Sequence, residues 1–563
     1  MEKSKLRRSR RHRHSIAALM SSVAMTGCAS IMTTTANADD AALIAAGRQI
    51  YENGILISGK PIKAKRAGGL EISGEEARCA LCHQHSGMGI SEGAIPVPPV
   101  SAPALFSTLG KPAGQVPRRA PGMEFKDYPF RTRPPYDEIS LARALREGLS
   151  PSDYQFNYMM PRYTLDEPDM AALTAYLKTL SSQPSPGVDA TTVHFATVIA
   201  ADMDPSRQDT TVGVLKTCFG IHSPEQPTQP TESDQPSRTR TARLHVWELN
   251  GPANTWNKQL EEKYASQPVF ALVSGLGTSE WAPVDQFCGE NRLPCLFPNV
   301  EVPGSPTGGA YNFYFSKGVI LEAEGAARYI RDQHQKLGIT RVVQISRREG
   351  SGAKAAVALR DALANSGISI DDRVYDPESE KLTANLLNDV GSQDAVMLWL
   401  SERDLVELVK GFPAPPTTAA TFFSGILGGL ENAPLPNAWK KTALMIYPFD
   451  PPARWNYRMA YNLRPWLSQH DIPTGDERLQ GNTLAACNLL FDGMAKLRNQ
   501  YLRDYLVELT ENYPTMGNAP APQAYPRFSI GPGQRFSSKG IYVTRFAQPE
   551  FERLEKVDDW IVP

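Results

Sequence analysis

The sequence predicts a multidomain protein: an all-α domain near the N-terminus, then a larger α/β domain built on parallel sheets. Three observations carry this. At 563 residues the chain exceeds what one hydrophobic core supports and divides into roughly three or four compact units. Residues 39–183 hold helical patterns around one cysteine and histidine motif, whereas from 193 onward apolar, β-rich runs alternate with helical patterns. Between them the break SSQPSPGVD marks a linker, placed at 184–192.

The bulk numbers exclude some classes. With 59 basic and 60 acidic residues, no global field argues for nucleic acid or a membrane surface. A hydrophobic content of 41% with 46 Pro and 42 Gly is that of a folded, loop-rich chain. No stretch after residue 40 is long and apolar enough to span a bilayer. Residues 1–38 read as a secretory signal. Lys3, Lys5, Arg7, Arg8, Arg10, Arg11 and Arg13 precede a small-residue apolar stretch, and Ala36-Asn37-Ala38 fits a cleavage site. The expected location is the periplasm, with lipoprotein anchoring through Cys28 as the alternative.

The cysteines agree with export. Setting aside Cys28, Cys79 and Cys82 leaves Cys218, Cys288, Cys295 and Cys487, an even number suited to an oxidising compartment. Cys288 and Cys295 lie close enough to bridge a short loop, or stand as separate buried thiols.

In EEARCALCHQHSGMG the order Cys79-x-x-Cys82-His83 is a c-type haem attachment signature. The two thiols sit one helical turn apart, so each can add to one vinyl group of the same porphyrin, with the adjoining imidazole aimed at iron. A zinc site would need a second ligand pair at comparable spacing, and none follows nearby. One covalent haem c is expected, held by Cys79 and Cys82 with His83 on the metal. Further on, Met160-Pro161 directly precedes a helical pattern in which Asp166 or Thr164 caps and Pro168 suits the first turn. Met170, Leu173, Tyr176, Leu177 and Leu180 form its apolar stripe.

These features resemble class I cytochromes c, which commonly pair a Met-Pro ligand loop with a C-terminal helix ending like AYLKTL. They also open on a helix with a pattern matched here by Gly47, Ile50, Tyr51 and Gly54. The resemblance implies Met160 as the second axial ligand, with Met159 its rival and Met88, Met123 and His85 outsiders. His/Met ligation saturates the iron and suits one-electron transfer. Between motif and ligand loop lies a Pro-rich segment expected to be loop, read either as packing around the haem edge or as a docking surface using Arg118, Arg119, Arg131 and Arg133. A helix follows, with Ile139, Leu141, Ala142, Leu145 and Leu149 on one side and Asp137 or Ser140 as cap.

Beyond the linker, VHFATVIA, ARLHVWEL, VFALVSGL, RVVQIS, DAVMLWL and ALMIYPF read as strands. Helices fall over 318–336, 352–366 and 402–411, and 224–240 as a polar loop. Gly350, Gly352 and Ala355 imitate a dinucleotide fingerprint but lack its tight strand-to-helix turn and acidic partner. FALVSGLGTSEWAPVDQFCGENRLPCLFP, SGISIDDRVYD, NTLAACNLLFDGMAKL and KGIYVTRF instead resemble type I periplasmic substrate-binding proteins of the branched-chain amino-acid receptor type. That likeness implies a two-lobed α/β domain over 193–563, with the second lobe at about 318–447. It also implies a cleft using Ser279, Tyr314 and Arg348, although the first strand lacks a Gly-rich ligand loop. No nucleophilic triad or paired-carboxylate site can be assembled from the scattered acids and histidines. The expectation is therefore an electron carrier, not an enzyme, with a periplasmic redox partner and a second domain for docking it or sensing a small molecule. The alternative is a solute-binding protein of a transport or sensing system with an accessory haem domain.

Overall fold

The computed structural model describes residues 26–92, 95–107, 133–200, 203–223, 240–305, 307–379, 385–497, 499–513 and 522–563, with backbone only at 26–38, 67, 91 and 92. Met123, Arg118, Arg119, Arg131, the Cys28 side chain, residues 1–25 of the expected signal and nearly all of loop 224–240 lie outside the described residues. The chain forms two units, Met1–Ser182 and Gln183–Pro563.

The first unit is mainly helical: α1 (Thr26–Asn53), α2 (Ala80–His83), α3 (Ala102–Phe106), α4 (Glu138–Arg146) and α5 (Glu167–Thr179). α5 starts where its sequence sets it, with the Asp166 side chain accepting from Asp169 N at 2.9 Å and Pro168 in the first turn. Met170, Leu173, Tyr176, Leu177 and Leu180 are buried. α1 packs across α5 in near backbone contact. A Cβ on Gly47 would lie 1.9 Å from the Ala172 carbonyl oxygen, so only glycine permits the crossing. One turn on, Tyr51 is buried with its ring 5.4 Å from that of Tyr176. Gly54 ends the helix at φ 67°.

To these helices the unit adds a three-stranded antiparallel sheet in the order β2-β1-β5, formed by β1 (Lys63–Lys65), β2 (Glu71–Ser73) and β5 (Arg162–Thr164). A hairpin joins β3 (Ser91–Glu92) to β4 (Ile95–Pro96). α4 departs from expectation in its face. Asp137 and Ser140 form a reciprocal capping box that sets its phase, so Leu141, Ala144 and Leu145 point inward and Ile139 is 81% exposed. The helix stops before Leu149, at Gly148 with φ 77°.

The second unit holds two sheets. The first is parallel: β6 (Thr192–Ala200), β7 (Thr241–Leu249), β8 (Ala271–Val273), β9 (Leu276–Gly277), β10 (Cys295–Leu296), β11 (Asn299–Val300) and β12 (Asn312–Phe313), ordered β11-β9-β6-β8-β10-β12 with β7 beside β6. The second runs β14-β13-β15-β16-β17-β18-β19. Its strands are β13 (Arg341–Ser346), β14 (Ser369–Val374), β15 (Asp394–Trp399), β16 (Ala420–Ser424), β17 (Ala443–Tyr447), β18 (Tyr542–Phe546) and β19 (Leu554–Lys556). The last two pair antiparallel and close the sheet from the C-terminus. This two-sheet, mostly parallel arrangement is the α/β class expected.

Helices α6 (Pro205–His222), α7 (Trp256–Ser266), α8 (Ala282–Glu290), α9 (Val319–Leu337) and α10 (Ser351–Leu363) connect these strands. α6 lies where the sequence reading placed no element; Thr211, Val214, Leu215, Cys218 and Phe219 bury its inner face at helical spacing. Its Cys218 is disulfide-bonded to Cys487 on the helix Glu477–Leu497, and Cys288 to Cys295. The segment read as a linker packs onto this unit. Ser185 N bonds Tyr501 O at 2.9 Å, and a Cβ on Gly187 would lie 2.2 Å from Phe270 N.

Gly47→Ala should lower the stability of the first unit by about 1–3 kcal/mol through overpacking at the helix crossing. Gly213→Ala, with nothing within 4 Å of the added methyl, should leave stability unchanged or slightly raised. Guanidinium unfolding followed by circular dichroism measures both.

Candidate haem site

Cys79, Cys82 and His83 lie on one helical turn. His83 N bonds Cys79 O at 2.9 Å, and Cys79 and His83 are buried while Cys82 is half-buried. Neither cysteine belongs to a disulfide. The Cys79 thiol hydrogen-bonds the buried Tyr163 hydroxyl, and burial pushes its pKa up to about 12. His83 Nδ1 lies 2.9 Å from the Pro98 carbonyl oxygen. A carbonyl only accepts, so Nδ1 carries the proton and the lone pair of the neutral ring falls on Nε2. An imidazole so fixed is suited to ligate a metal through Nε2, with its orientation and basicity set by the outer hydrogen bond.

The loop after His83 is held from three sides. Tyr51 Oη donates to the Gln84 carbonyl at 2.8 Å from α1, and Ser181 Oγ donates to the Ser86 carbonyl at 2.6 Å from beyond α5. The Pro-rich segment supplies the third: Val97 N bonds Ile90 O and Val100 N bonds Gly87 O, both at 2.7 Å. Gly89 is required there, because a Cβ would stand 2.2 Å from Val97 O and φ is 72°. The described start of this segment thus orients His83. Arg133, read as a docking residue, turns inward: it donates to the carbonyls of Leu105 and Ala104 and stacks 4.4 Å over Tyr136.

Met160 packs against the buried cluster that contains Cys79, Tyr163, Leu173 and Leu177; among the described residues neither Met159 nor Met88 does. Its loop is tied by Arg162, whose guanidinium donates to the Met160 carbonyl at 2.5 Å and the Phe156 carbonyl at 3.5 Å. Because Arg162 and Tyr163 are on β5, paired with Lys65 and Ala64 of β1, the sheet sets where this loop ends. Pro98, Arg162 and Tyr163 escaped the sequence reading, since each acts through a contact with no local pattern. The donor set fits a covalently held haem: two thiols outside any disulfide, an oriented imidazole, a thioether and an apolar wall.

The cytochrome c family model matches residues 69–181. The match covers well under half the chain and concerns the first unit, hereafter the cytochrome c domain. No curated protein matches the chain. Similar solved structures include a substrate-binding periplasmic protein from Ralstonia solanacearum, 13% identical, covering 65% of this chain and 99% of that one, TM-score 0.46. A branched chain amino acid ABC transporter protein from Thermus thermophilus with bound valine is 12% identical over 67% and 98% of the two chains, TM-score 0.47. A leucine binding protein from Thermotoga maritima is 12% identical over 66% and 99%, TM-score 0.44.

In the second unit the three expected cleft residues do not form one open site. Ser279 follows β9 and is buried; its carbonyl accepts from Lys354 Nζ of α10 at 2.6 Å, and Lys354 also pairs with Glu280 at 3.0 Å. Ser351 Oγ donates to Glu301 Oε2 at 2.5 Å, so the two sheets' loops meet through direct bonds. The Tyr314 hydroxyl is buried against Asp285, which removes it from any cleft. Arg348 is exposed on the loop after β13, and its neighbour Arg347 pairs with Asp404. At the end of β16 the chain's own Glu322 accepts from Ser424 Oγ and from Ile426 N at 2.9 Å, and burial pushes its pKa to about 8. A cavity of about 550 Å³ lies instead beside Asn432, Trp455, Arg464, Asp476 and Arg478. The first turn of α10 packs tightly, since a Cβ on Gly352 would stand 2.2 Å from Trp399 O.

Burial pushes the Asp285 carboxyl to about 6, so the fold holds this proton more tightly than the unfolded chain. Its stabilising contribution is complete at about pH 4 and below and is lost as pH rises towards 6. Asp285→Asn should therefore gain on the wild type by about 2–3 kcal/mol between pH 4 and 7, measured by denaturant unfolding.

Proposed function

We propose that this protein is a periplasmic mono-haem c-type cytochrome that carries single electrons, with the second unit docking a redox partner or sensing a small molecule. The observation that carries this reading is the His83 imidazole, fixed by the Pro98 carbonyl directly after Cys79-x-x-Cys82, within a domain matched by the cytochrome c family model. Cys79 and Cys82 would hold the haem covalently, and His83 and Met160 would ligate its iron. A haem bound there would supply a one-electron iron couple.

The protein's residues do the positioning. Pro98 holds the tautomer of His83, Tyr51 and Ser181 hold the loop behind it, and Arg162 holds the Met160 loop. The Cys79 thiol, neutral and buried once folded, reacts before the domain closes around it.

The oxidised protein should show a low-spin c-type spectrum with a methionine-to-iron charge-transfer band. Met160→Ala should abolish the band and lower the potential, whereas Met159→Ala should retain both; a band that survives Met160→Ala contradicts the assignment. Arg162→Ala should weaken the band without removing the His83 signature. Solute binding with an accessory haem domain draws support from the cavity at Trp455 and Arg478. Under it, a small molecule that raises the melting temperature should lose its effect in Trp455→Ala.

A further inference from the structure

We propose that His194 and His245 form a binding site for a first-row transition-metal dication, copper(II) above all, with Asp189 holding His194 in its ligating tautomer. β6 and β7 pair in parallel with Ala196 opposite His245, which places His194 diagonally across from it on one face. The two rings approach with His194 Nδ1 3.0 Å from His245 Nε2, their centroids 5.3 Å apart and their planes at 27°. On its far side His194 Nε2 lies 3.0 Å from Asp189 Oδ2.

Asp189 is itself built in. Its Oδ1 accepts from Thr191 N at 2.9 Å and Thr192 N at 2.7 Å, and its backbone carbonyl accepts from Arg240 Nε at 2.6 Å. With Oδ1 taken by two backbone N–H donors, Oδ2 is left to accept from His194. His194 Nε2 therefore carries the proton, and the Nδ1 lone pair faces His245. That carboxylate, histidine and metal order is the outer-shell device that orients ligating imidazoles.

The choice of ion follows from affinity. Imidazole nitrogens suit copper(II), nickel(II) and zinc, and copper(II) leads among them. Rotation about the soft χ2 torsions turns both lone pairs onto one point. In the metal-free protein the His245 Nε2 proton fills the gap as a hydrogen bond to His194; on binding it moves to Nδ1, with no net proton release. Asp189 is more than half exposed and His245 half-buried, so the site opens to solvent. No cluster of three or more such ligands occurs among the described residues, so water completes the shell.

Copper sulfate titrated into the holoprotein and into variants, followed by calorimetry and electron paramagnetic resonance, tests this. His245→Gln and His194→Asn should each lose one equivalent of bound copper(II) and its nitrogen hyperfine pattern, while His334→Gln on another element should retain both. Asp189→Asn, which keeps both imidazoles, should weaken binding by about 10–100-fold. Thermal melting without metal establishes that each variant is folded. Unchanged copper stoichiometry and affinity in folded His245→Gln, or wild-type affinity in Asp189→Asn, overturns the site.

Discussion

The cytochrome c domain depends on the place where α1 and α5 cross at Gly47 and Ala172. Absence of a side chain at Gly47 brings two helix backbones into contact, and that contact fixes residues on either side of it. One turn on, Tyr51 reaches the Gln84 carbonyl; past the far end of α5, Ser181 reaches the Ser86 carbonyl. The loop that follows the cysteine pair is thus suspended between two helices distant in sequence. Leu180, buried where α5 ends, also receives the Pro-rich segment through Ala102 N at 2.7 Å. A methyl group at Gly47 would act on His83 indirectly, by moving its supports.

The same economy shapes the two axial candidates. Neither His83 nor Met160 is held by its own packing alone: Pro98 fixes the ring tautomer of one, and Arg162 clamps the backbone of the other. Both supports are backbone-directed hydrogen bonds, which constrain direction more strongly than apolar contact does. Tyr163, adjacent to Arg162 on β5, bonds the Cys79 thiol, so one three-residue strand serves both the attachment side and the methionine loop.

Legibility in the sequence followed locality. The cysteine and histidine motif, the Asp166 cap, the α5 stripe and the alternation of strands and helices were readable because spacing alone specifies them. The phase of α4 was not, since it hangs on the reciprocal bond between Asp137 and Ser140, which turned Ile139 outward. α6 was obscured by Gly213, Gly220 and paired threonines within an otherwise regular buried face. Pro98, Tyr163, Asp285 and Glu322 act through partners far along the chain, and a single sequence contains no record of such pairs. The contacts of Tyr314 with Asp285, and of the β16 end with Glu322, were hidden for the same reason.

The second unit fills several of its own strand ends, and its two disulfides suit an oxidising compartment. The electron-transfer proposal for the first unit rests on covalent haem at one motif. Mass spectrometry of proteolytic fragments, from protein produced in a host that matures c-type cytochromes, tests it most directly. The peptide spanning Cys79 and Cys82 should carry the mass of one haem, with neither thiol open to alkylation. Free thiols, or a Cys79–Cys82 disulfide on an unmodified peptide, would contradict the account.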